Sequence, residues 1–131
     1  TFTNWGIPAD SYVMSDGSGL SRYDYVAPST ITTILARMHS DPRHREAFEG
    51  TLPIAGKDGT ISGRMRRSLA EGNAVAKTGS IANVRALSGY VKTRNGETLA
   101  FSILANDFVI PPATVNWIAD LAVEILAAFQ R

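Results

Sequence analysis

Two apolar runs near the C-terminal end, separated by Asn95-Gly96, most constrain the fold of this 131-residue chain. Residues 87–93 and 98–105 have the alternating pattern of β-strands, and Asn-Gly between two such runs is the strongest short-range signal for a β-hairpin. Apolar side chains occur on both faces of the second run, for example Leu104 on one face and Ile103 on the other. The sequence therefore predicts a hairpin within a sheet that is covered on both sides.

Shorter signals predict the elements before this hairpin. Residues 74–78 read as a first strand, and residues 12–14 as a short extended segment in a loop-rich beginning. Helical spacing of apolar residues predicts a helix that begins near Pro28 and ends near His39. Two further short helices are predicted over residues 42–48 and 64–70, on either side of a glycine-rich loop.

A last helix of about 18 residues is predicted after Pro111-Pro112, long enough to cross several strands. Its apolar residues recur at helical spacing, which predicts a stripe that packs on the sheet. The residues of this stripe are Val115, Ile118, Ala122, Ile125 and Phe129, widened by Leu121 and Leu126. Three antiparallel strands with a covering C-terminal helix make an α+β fold.

Composition excludes several classes of protein. A hydrophobic fraction of 44% and a charged fraction of 19% are those of a globular domain. The net charge of +1 argues against a nucleic-acid-binding surface, and no apolar run reaches the length of a membrane span. The chain has no cysteine, so disulfides, thiolate metal sites and cysteine nucleophiles are excluded.

Two polar clusters are interpreted as structural. The basic cluster of Arg64, Arg66 and Arg67 is predicted to be a solvated helix face. His39 and His44 are interpreted as surface histidines around a helix break, in preference to metal ligands. A metal site is therefore not expected at these histidines.

The tetrapeptide Lys77-Thr78-Gly79-Ser80 carries the strongest chemical signal. A Lys-Thr-Gly triplet on a sheet edge is a signature element of serine acyl-enzymes that act on penicillin-like and D-Ala-D-Ala substrates. These substrates carry a carboxylate beside the scissile bond, for which lysine provides positive charge and threonine a hydroxyl donor. Glycine allows a substrate backbone to lie close against the strand. The triplet alone is also compatible with a strand that ends in a turn.

Two more blocks make the pattern specific. Residues 15–22 read Ser-Asp-Gly-Ser-Gly-Leu-Ser-Arg, and residues 52–61 read Leu-Pro-Ile-Ala-Gly-Lys-Asp-Gly-Thr-Ile. In this order and spacing, the three blocks resemble the C-terminal part of the D-alanyl-D-alanine carboxypeptidase/endopeptidase family. These enzymes are the class C low-molecular-mass penicillin-binding proteins, peptidase family S13. The resemblance covers nearly the whole chain and implies the second half of the five-stranded sheet of a transpeptidase fold.

The resemblance also implies roles for individual residues. Lys77 would attract the substrate carboxylate and help to move protons, and Thr78 would donate a hydrogen bond to the same carboxylate. The backbone N–H of Ser80 would serve the oxyanion hole, with Gly79 allowing close approach. Leu20 and Arg22 would lie near the pocket for the peptide side chain, where a guanidinium pairs with a stem-peptide carboxylate. From the residues alone, Asp16 and Ser18 are expected to hold their loop by side-chain to backbone bonds.

Two family motifs do not occur in this sequence. No serine is followed by lysine three residues later, and none by asparagine two residues later. The family's Ser-x-x-Lys and Ser-x-Asn motifs precede the first block, so residues 1–131 are expected to form the C-terminal segment of a transpeptidase-like domain, inactive without the rest. Two alternatives stay open: a non-catalytic module that binds a peptide or completes a partner's sheet, and a class A β-lactamase fragment.

The resemblance further implies peptidoglycan stem peptides and β-lactams as partners, no metal or organic cofactor, and a periplasmic or otherwise extracytoplasmic location. In the transpeptidase fold, the strand at residues 98–105 has an outer neighbour that comes from upstream sequence. An exposed strand edge pairs readily with another chain. The isolated chain is therefore expected either to be bound to its missing half or to self-associate through this exposed strand edge.

Overall fold

The computed structural model describes residues 2–131 and contains a three-stranded antiparallel sheet. Its strands are β3 (Val75–Ile81), β4 (Val84–Lys92) and β5 (Thr98–Asn106), in the spatial order β3-β4-β5. A separate two-stranded sheet pairs β1 (Tyr12–Val13) with β2 (Tyr25–Val26). The predicted strands and the short extended segment are therefore confirmed.

The hairpin between β4 and β5 closes as the Asn-Gly signal predicts. Lys92 pairs with Thr98 at the end of the ladder, and the backbone N–H of Thr93 donates to the Glu97 carbonyl at 2.9 Å. Gly96 has φ +80°, a left-handed conformation that favours glycine. This turn sets the register in which each residue of β5 faces its partner in β4.

Three α-helices surround the sheet: α1 (Pro28–Ser40), α2 (Arg45–Glu49) and α3 (Pro112–Ala128). Leu87 of β4 lies in the same core cluster as residues of α3, whereas the Tyr90 hydroxyl donates to the Leu35 carbonyl of α1 at 2.6 Å. Because odd and even residues of a strand face opposite sides, α1 and α3 cover opposite faces of the sheet. Burial against α1, with a smaller effect of Glu49, raises the pKa of Tyr90 to about 12.

The helix predicted after Pro28 is confirmed as α1, and the helix predicted over residues 42–48 corresponds to the shorter α2. Residues 42–44 instead form a turn, in which the backbone N–H of His44 donates to the Asp41 carbonyl at 3.1 Å. Within residues 2–131, no helix has the length and hydropathy of a membrane span.

The predicted stripe of α3 is wrong for most of its residues, although Val115 is buried and Leu126 packs, partly buried, against the core cluster. The buried residues of the helix recur every four positions: Val115, Ala119, Val123 and Ala127. Ile118 is 50% exposed, Ile125 is 61% exposed and Phe129 is 47% exposed. Small side chains allow the helix axis to approach the sheet closely, so Ile118, Ile125 and Phe129 of the predicted stripe face outward.

The helix predicted over residues 64–70 is also wrong. This segment consists of turns, and Met65 and Arg67 have left-handed backbones with φ 56° and φ 60°. A regular helix cannot contain such residues. The Met65 side chain is only 4% exposed, so the turns place it in the core.

The interpretation of the basic cluster as a solvated helix face is wrong for Arg64, which is half-buried in an ion pair. Its guanidinium forms a two-nitrogen contact with the Asp120 carboxylate of α3, with Nη2–Oδ1 at 2.8 Å and Nε–Oδ1 at 2.9 Å. The two side chains are 18% and 13% exposed. The pair fastens the turns of residues 62–70 to α3.

Asp120→Ala is expected to lower the free energy of unfolding by roughly 1–3 kcal/mol, because the Arg64 charge would stay largely buried without its partner. Urea denaturation at neutral pH measures this loss. Glu124→Ala is the matched control, because it removes from the same helix a carboxylate that forms no ion pair within residues 2–131. Equal losses for both variants would contradict a specific contribution of the ion pair.

Candidate functional site

The outer edge of β3 is open over most of its length in the described part of the chain. The loop at residues 53–55 pairs with the start of the strand: the Ala55 N–H donates to the Ala74 carbonyl, and the Ala76 N–H donates to the Pro53 carbonyl, both at 2.9 Å. Beyond Ala76, in the described part of the chain, only β4 pairs with this strand. We call residues 77–81 the open edge.

Backbone direction gives the open edge outward hydrogen-bond donors. The Ala76 N–H points away from β4, toward Pro53. Because the direction of backbone groups alternates along a strand, the N–H groups of Thr78 and Ser80 also point away from β4. The edge is therefore prepared to pair with an extended chain or to hold a negatively charged oxygen.

Lys77 brings a positive charge to this edge. Its side chain is exposed, and Nζ donates to the carbonyl of Thr78 at 2.8 Å. Within residues 2–131, no carboxylate forms an ion pair with Lys77. The ammonium group is thus available to an external anion.

Thr78 lies on the opposite side of the strand from Lys77 and has a side-chain partner. Its Oγ1 lies 2.9 Å from Oγ1 of Thr60, a residue of the short 3-10 turn at Gly59–Ile61. This hydroxyl contact joins the glycine-rich loop to the open edge, beyond the last backbone bond at Ala76.

Glycines fit the sheet closely beside the site. Gly79 lies within β3 and not in a turn, and a Cβ there would come 3.1 Å from the Ala86 Cβ. Gly89 of β4 is more restricted, because an added Cβ would come 2.0 Å from the Val75 carbonyl oxygen. Sequence reasoning missed Gly89, although an isolated glycine inside a strand pattern indicates close backbone approach.

The loop that carries Leu20 and Arg22 is held by its own side chains. The Asp16 carboxylate accepts from the Ser18 N–H at 2.8 Å, and the Ser18 hydroxyl accepts from the Leu20 N–H at 3.1 Å. These bonds confirm the expected roles of Asp16 and Ser18, and the hydrogen bonds from Ser18 lower the pKa of Asp16. Asp24, which the sequence reasoning missed, accepts from the Ser15 N–H at 2.6 Å.

Leu20 is 67% exposed, and Arg22 is exposed without an ion pair in residues 2–131. In the same part of the chain, no hydrogen bond or ion pair joins this loop to the open edge. The expected position of Leu20 and Arg22 near the pocket for the peptide side chain therefore stays a prediction.

The two histidines have separate carboxylate partners. His39 Nδ1 lies 2.6 Å from Glu49 Oε1, and His44 Nδ1 lies 2.9 Å from Asp41 Oδ2. Across residues 2–131, no group of three or more potential metal-ligating side chains is present.

A family model described as the D-Ala-D-Ala carboxypeptidase 3 (S13) family matches residues 1–128. The chain is 42% identical over 106 residues to a D-alanyl-D-alanine carboxypeptidase of Actinomadura sp. (strain R39), covering 77% of this chain and 19% of that protein. It is 40% identical over 106 residues to the D-alanyl-D-alanine carboxypeptidase DacB of Haemophilus influenzae, covering 79% of this chain and 22% of that protein. The chain thus spans about a fifth of the length of these relatives.

The fold matches a solved relative. The crystal structure of penicillin binding protein 4 (dacB) from Haemophilus influenzae has a TM-score of 0.76 and 33% sequence identity, covering 96% of this chain and 30% of that chain. A structure of the same protein complexed with a β-lactam has a TM-score of 0.77 and 32% identity, covering 96% of this chain and 31% of that chain. The expected α+β arrangement of three antiparallel strands and a C-terminal helix is confirmed.

Proposed function

Because this chain belongs to the D-Ala-D-Ala carboxypeptidase 3 (S13) family, we propose that it is part of a serine-type D-Ala-D-Ala carboxypeptidase/endopeptidase that acts on peptidoglycan. Its contribution is the strand that binds the substrate carboxylate and supplies half of the oxyanion hole. The match over residues 1–128 favours this family over a class A β-lactamase fragment.

The open edge of β3 is the observation that carries this proposal. It combines the exposed Lys77 ammonium with the outward N–H groups of Thr78 and Ser80. An extended peptide that adds to such an edge receives main-chain hydrogen bonds, and its carboxylate lies within reach of a cation. A β-lactam that mimics this peptide uses the same groups.

The first four residues of the open edge have roles in acyl transfer. Lys77 and the Thr78 hydroxyl bind the carboxylate, and Gly79 leaves room for the substrate backbone. The Ser80 N–H donates to the carbonyl oxygen as it gains negative charge, and the nucleophile's own N–H is the second donor. Loss of one such donor costs about 10²–10³-fold in rate. Leu20 and Arg22 contact the peptide side chain, with the guanidinium paired to a stem-peptide carboxylate.

We place the nucleophile outside residues 1–131, since no serine here has the Ser-x-x-Lys pattern. The curated relatives are long enough to contain it, because the chain spans only 19% and 22% of two of them. In the complete enzyme, a lysine base takes the proton of this serine, whose oxygen attacks the carbonyl. The scissile peptide bond then breaks, the terminal D-Ala leaves with that proton on its amine, and the acyl-enzyme remains. Peptidoglycan and β-lactams are met outside the cytoplasm, so we propose an extracytoplasmic location.

Incubation with a labelled penicillin, followed by intact-mass and peptide mass spectrometry, tests this division of roles. The 131-residue chain alone is expected to form no covalent adduct and to leave D-Ala-D-Ala peptides intact. The longest native polypeptide that carries this sequence is expected to form a stoichiometric adduct on a serine outside these residues. An adduct on a serine of this chain, or none on the longer polypeptide, would overturn the proposal; the latter result would favour a non-catalytic peptide-binding module.

A further inference from the structure

Thr60 makes a contact that the proposed function does not yet use. Backbone pairing between the glycine-rich loop and β3 stops at Ala76, and the two hydroxyls of Thr60 and Thr78 meet at 2.9 Å beyond that point. Thr78 is half-buried, whereas Thr60 is exposed. The loop therefore contacts the open edge at the one hydroxyl proposed to bind the substrate carboxylate.

The loop holds Thr60 firmly despite its exposure. On one side, the Asp58 carboxylate accepts from the Ile54 N–H at 2.6 Å, and a Cβ on Gly59 would come 2.8 Å from Pro53 Cγ. On the other side, Ile61 is completely buried, and its carbonyl accepts from the Gly56 N–H at 3.0 Å. With both neighbours fixed, the Thr60 hydroxyl has a defined position relative to Thr78.

In the contact between the Thr60 and Thr78 hydroxyls, one hydroxyl donates its proton and the other accepts. A threonine hydroxyl has one proton to donate and two lone pairs. In the structure the Thr78 hydroxyl donates to Thr60. When a bound carboxylate accepts that proton instead, the hydrogen bond between the threonines can persist only if it reverses, with Thr60 as donor. Hydrogen bonds in such a chain strengthen one another.

We propose that Thr60 is a positioning residue that holds the Thr78 hydroxyl with its proton directed toward the carboxylate of the bound substrate. The inference rests on the proposed function of the open edge. It assigns to the Asp58-Gly59-Thr60 turn a part in substrate recognition, in addition to its structural role beside β3. Valine keeps the shape of threonine but cannot donate, so Thr60→Val isolates this effect.

In the longest native polypeptide that carries this sequence, Thr60→Val is expected to weaken binding of a carboxylate-bearing penicillin by about 3–10-fold, the loss typical of one hydrogen bond. The acylation rate at saturation should change little, because the change acts on recognition. Thr60→Ser retains the hydroxyl and should restore binding. Thr98→Val removes a threonine hydroxyl from β5 that has no hydrogen-bond partner in residues 2–131 and is the matched control.

Two comparisons separate this inference from the proposed function. With the methyl ester of the same penicillin, the effect of Thr60→Val should disappear. In a Thr78→Val background, Thr60→Val should cause no further loss, as expected for two residues that act through one hydrogen bond. If Thr78→Val itself has no effect, the proposed role of the edge is wrong. If Thr78→Val impairs binding but Thr60→Val does not, or if their losses add, only the role of Thr60 is wrong.

Discussion

Lys77→Ala in the complete enzyme is expected to lower the second-order rate constant of β-lactam acylation by about 10²–10³-fold, a loss comparable to removal of a preorganised charge-stabilising donor. The expected effect is large because the Lys77 ammonium has no ion pair within residues 2–131 and lies on the open edge of β3. The melting temperature should stay within about 2 °C, since an exposed strand residue contributes little to the core. Stopped-flow acylation and thermal unfolding measure the two quantities on the same samples.

Two further variants show whether the charge at this position is the cause. Lys77→Arg keeps the charge but changes its geometry, so it should retain part of the rate. Lys92→Ala removes an exposed lysine from the end of β4 and should leave acylation unchanged. An unchanged rate in Lys77→Ala, or a loss matched by a fall in melting temperature, would contradict the proposed role of the residue.

Local signals predicted the sheet well, because they specify single conformations. Asn95-Gly96 between two alternating runs allows few arrangements other than a hairpin, and the structure has the turn there. The Pro111-Pro112 pair likewise fixed the start of α3. Such features depend on residues that are neighbours in the chain.

The orientation of α3 could not be predicted in the same way. The apolar residues of this helix are distributed around most of its circumference, so its sequence allows more than one buried face. The choice of Ala119 and Val123 over Ile118 and Ile125 depends on how closely the helix approaches β4, a property of the assembled sheet. The turns at residues 62–70 are a second case, since their geometry depends on Asp120, distant in sequence.

In the candidate site, too, residues that are neighbours in the chain could be predicted, whereas contacts between distant residues could not. Lys77 to Ser80 are contiguous, so a motif identified them and β3 places them together. The partner of Thr78 is Thr60, 18 positions earlier in the chain, and no sequence signal connects their hydroxyls. Gly89 became evident only when its opposing strand was known.

The isolated 131-residue chain is expected to self-associate. On the side away from β4, β5 has no strand partner in residues 2–131, and it is nine residues long, which is long enough to template pairing. The outer face of α3 adds exposed apolar surface, with Trp117 62% exposed and Ile125 61% exposed. A helix that is apolar nearly all round is normally buried. Sedimentation velocity should show a concentration-dependent species heavier than the monomer.

Ala100→Pro tests whether association uses the edge of β5. The Ala76 N–H points away from β4, so its partner Gly89 bonds to Phe101 on the other side of β4. Because the direction of backbone groups alternates along β5, the N–H of the neighbouring Ala100 points away from β4. Proline there removes an outward donor without removing a bond of the β4–β5 ladder. Ile125→Lys places a charge on the outer face of α3 instead. If Ala100→Pro shifts the chain toward monomer and retains its far-ultraviolet circular dichroism, association uses strand pairing. If only Ile125→Lys causes this shift, association uses the outer face of α3. A folded wild-type chain that stays monomeric over a wide concentration range would contradict the prediction, because it would mean that an open strand edge and an uncovered apolar helix face are both tolerated in water.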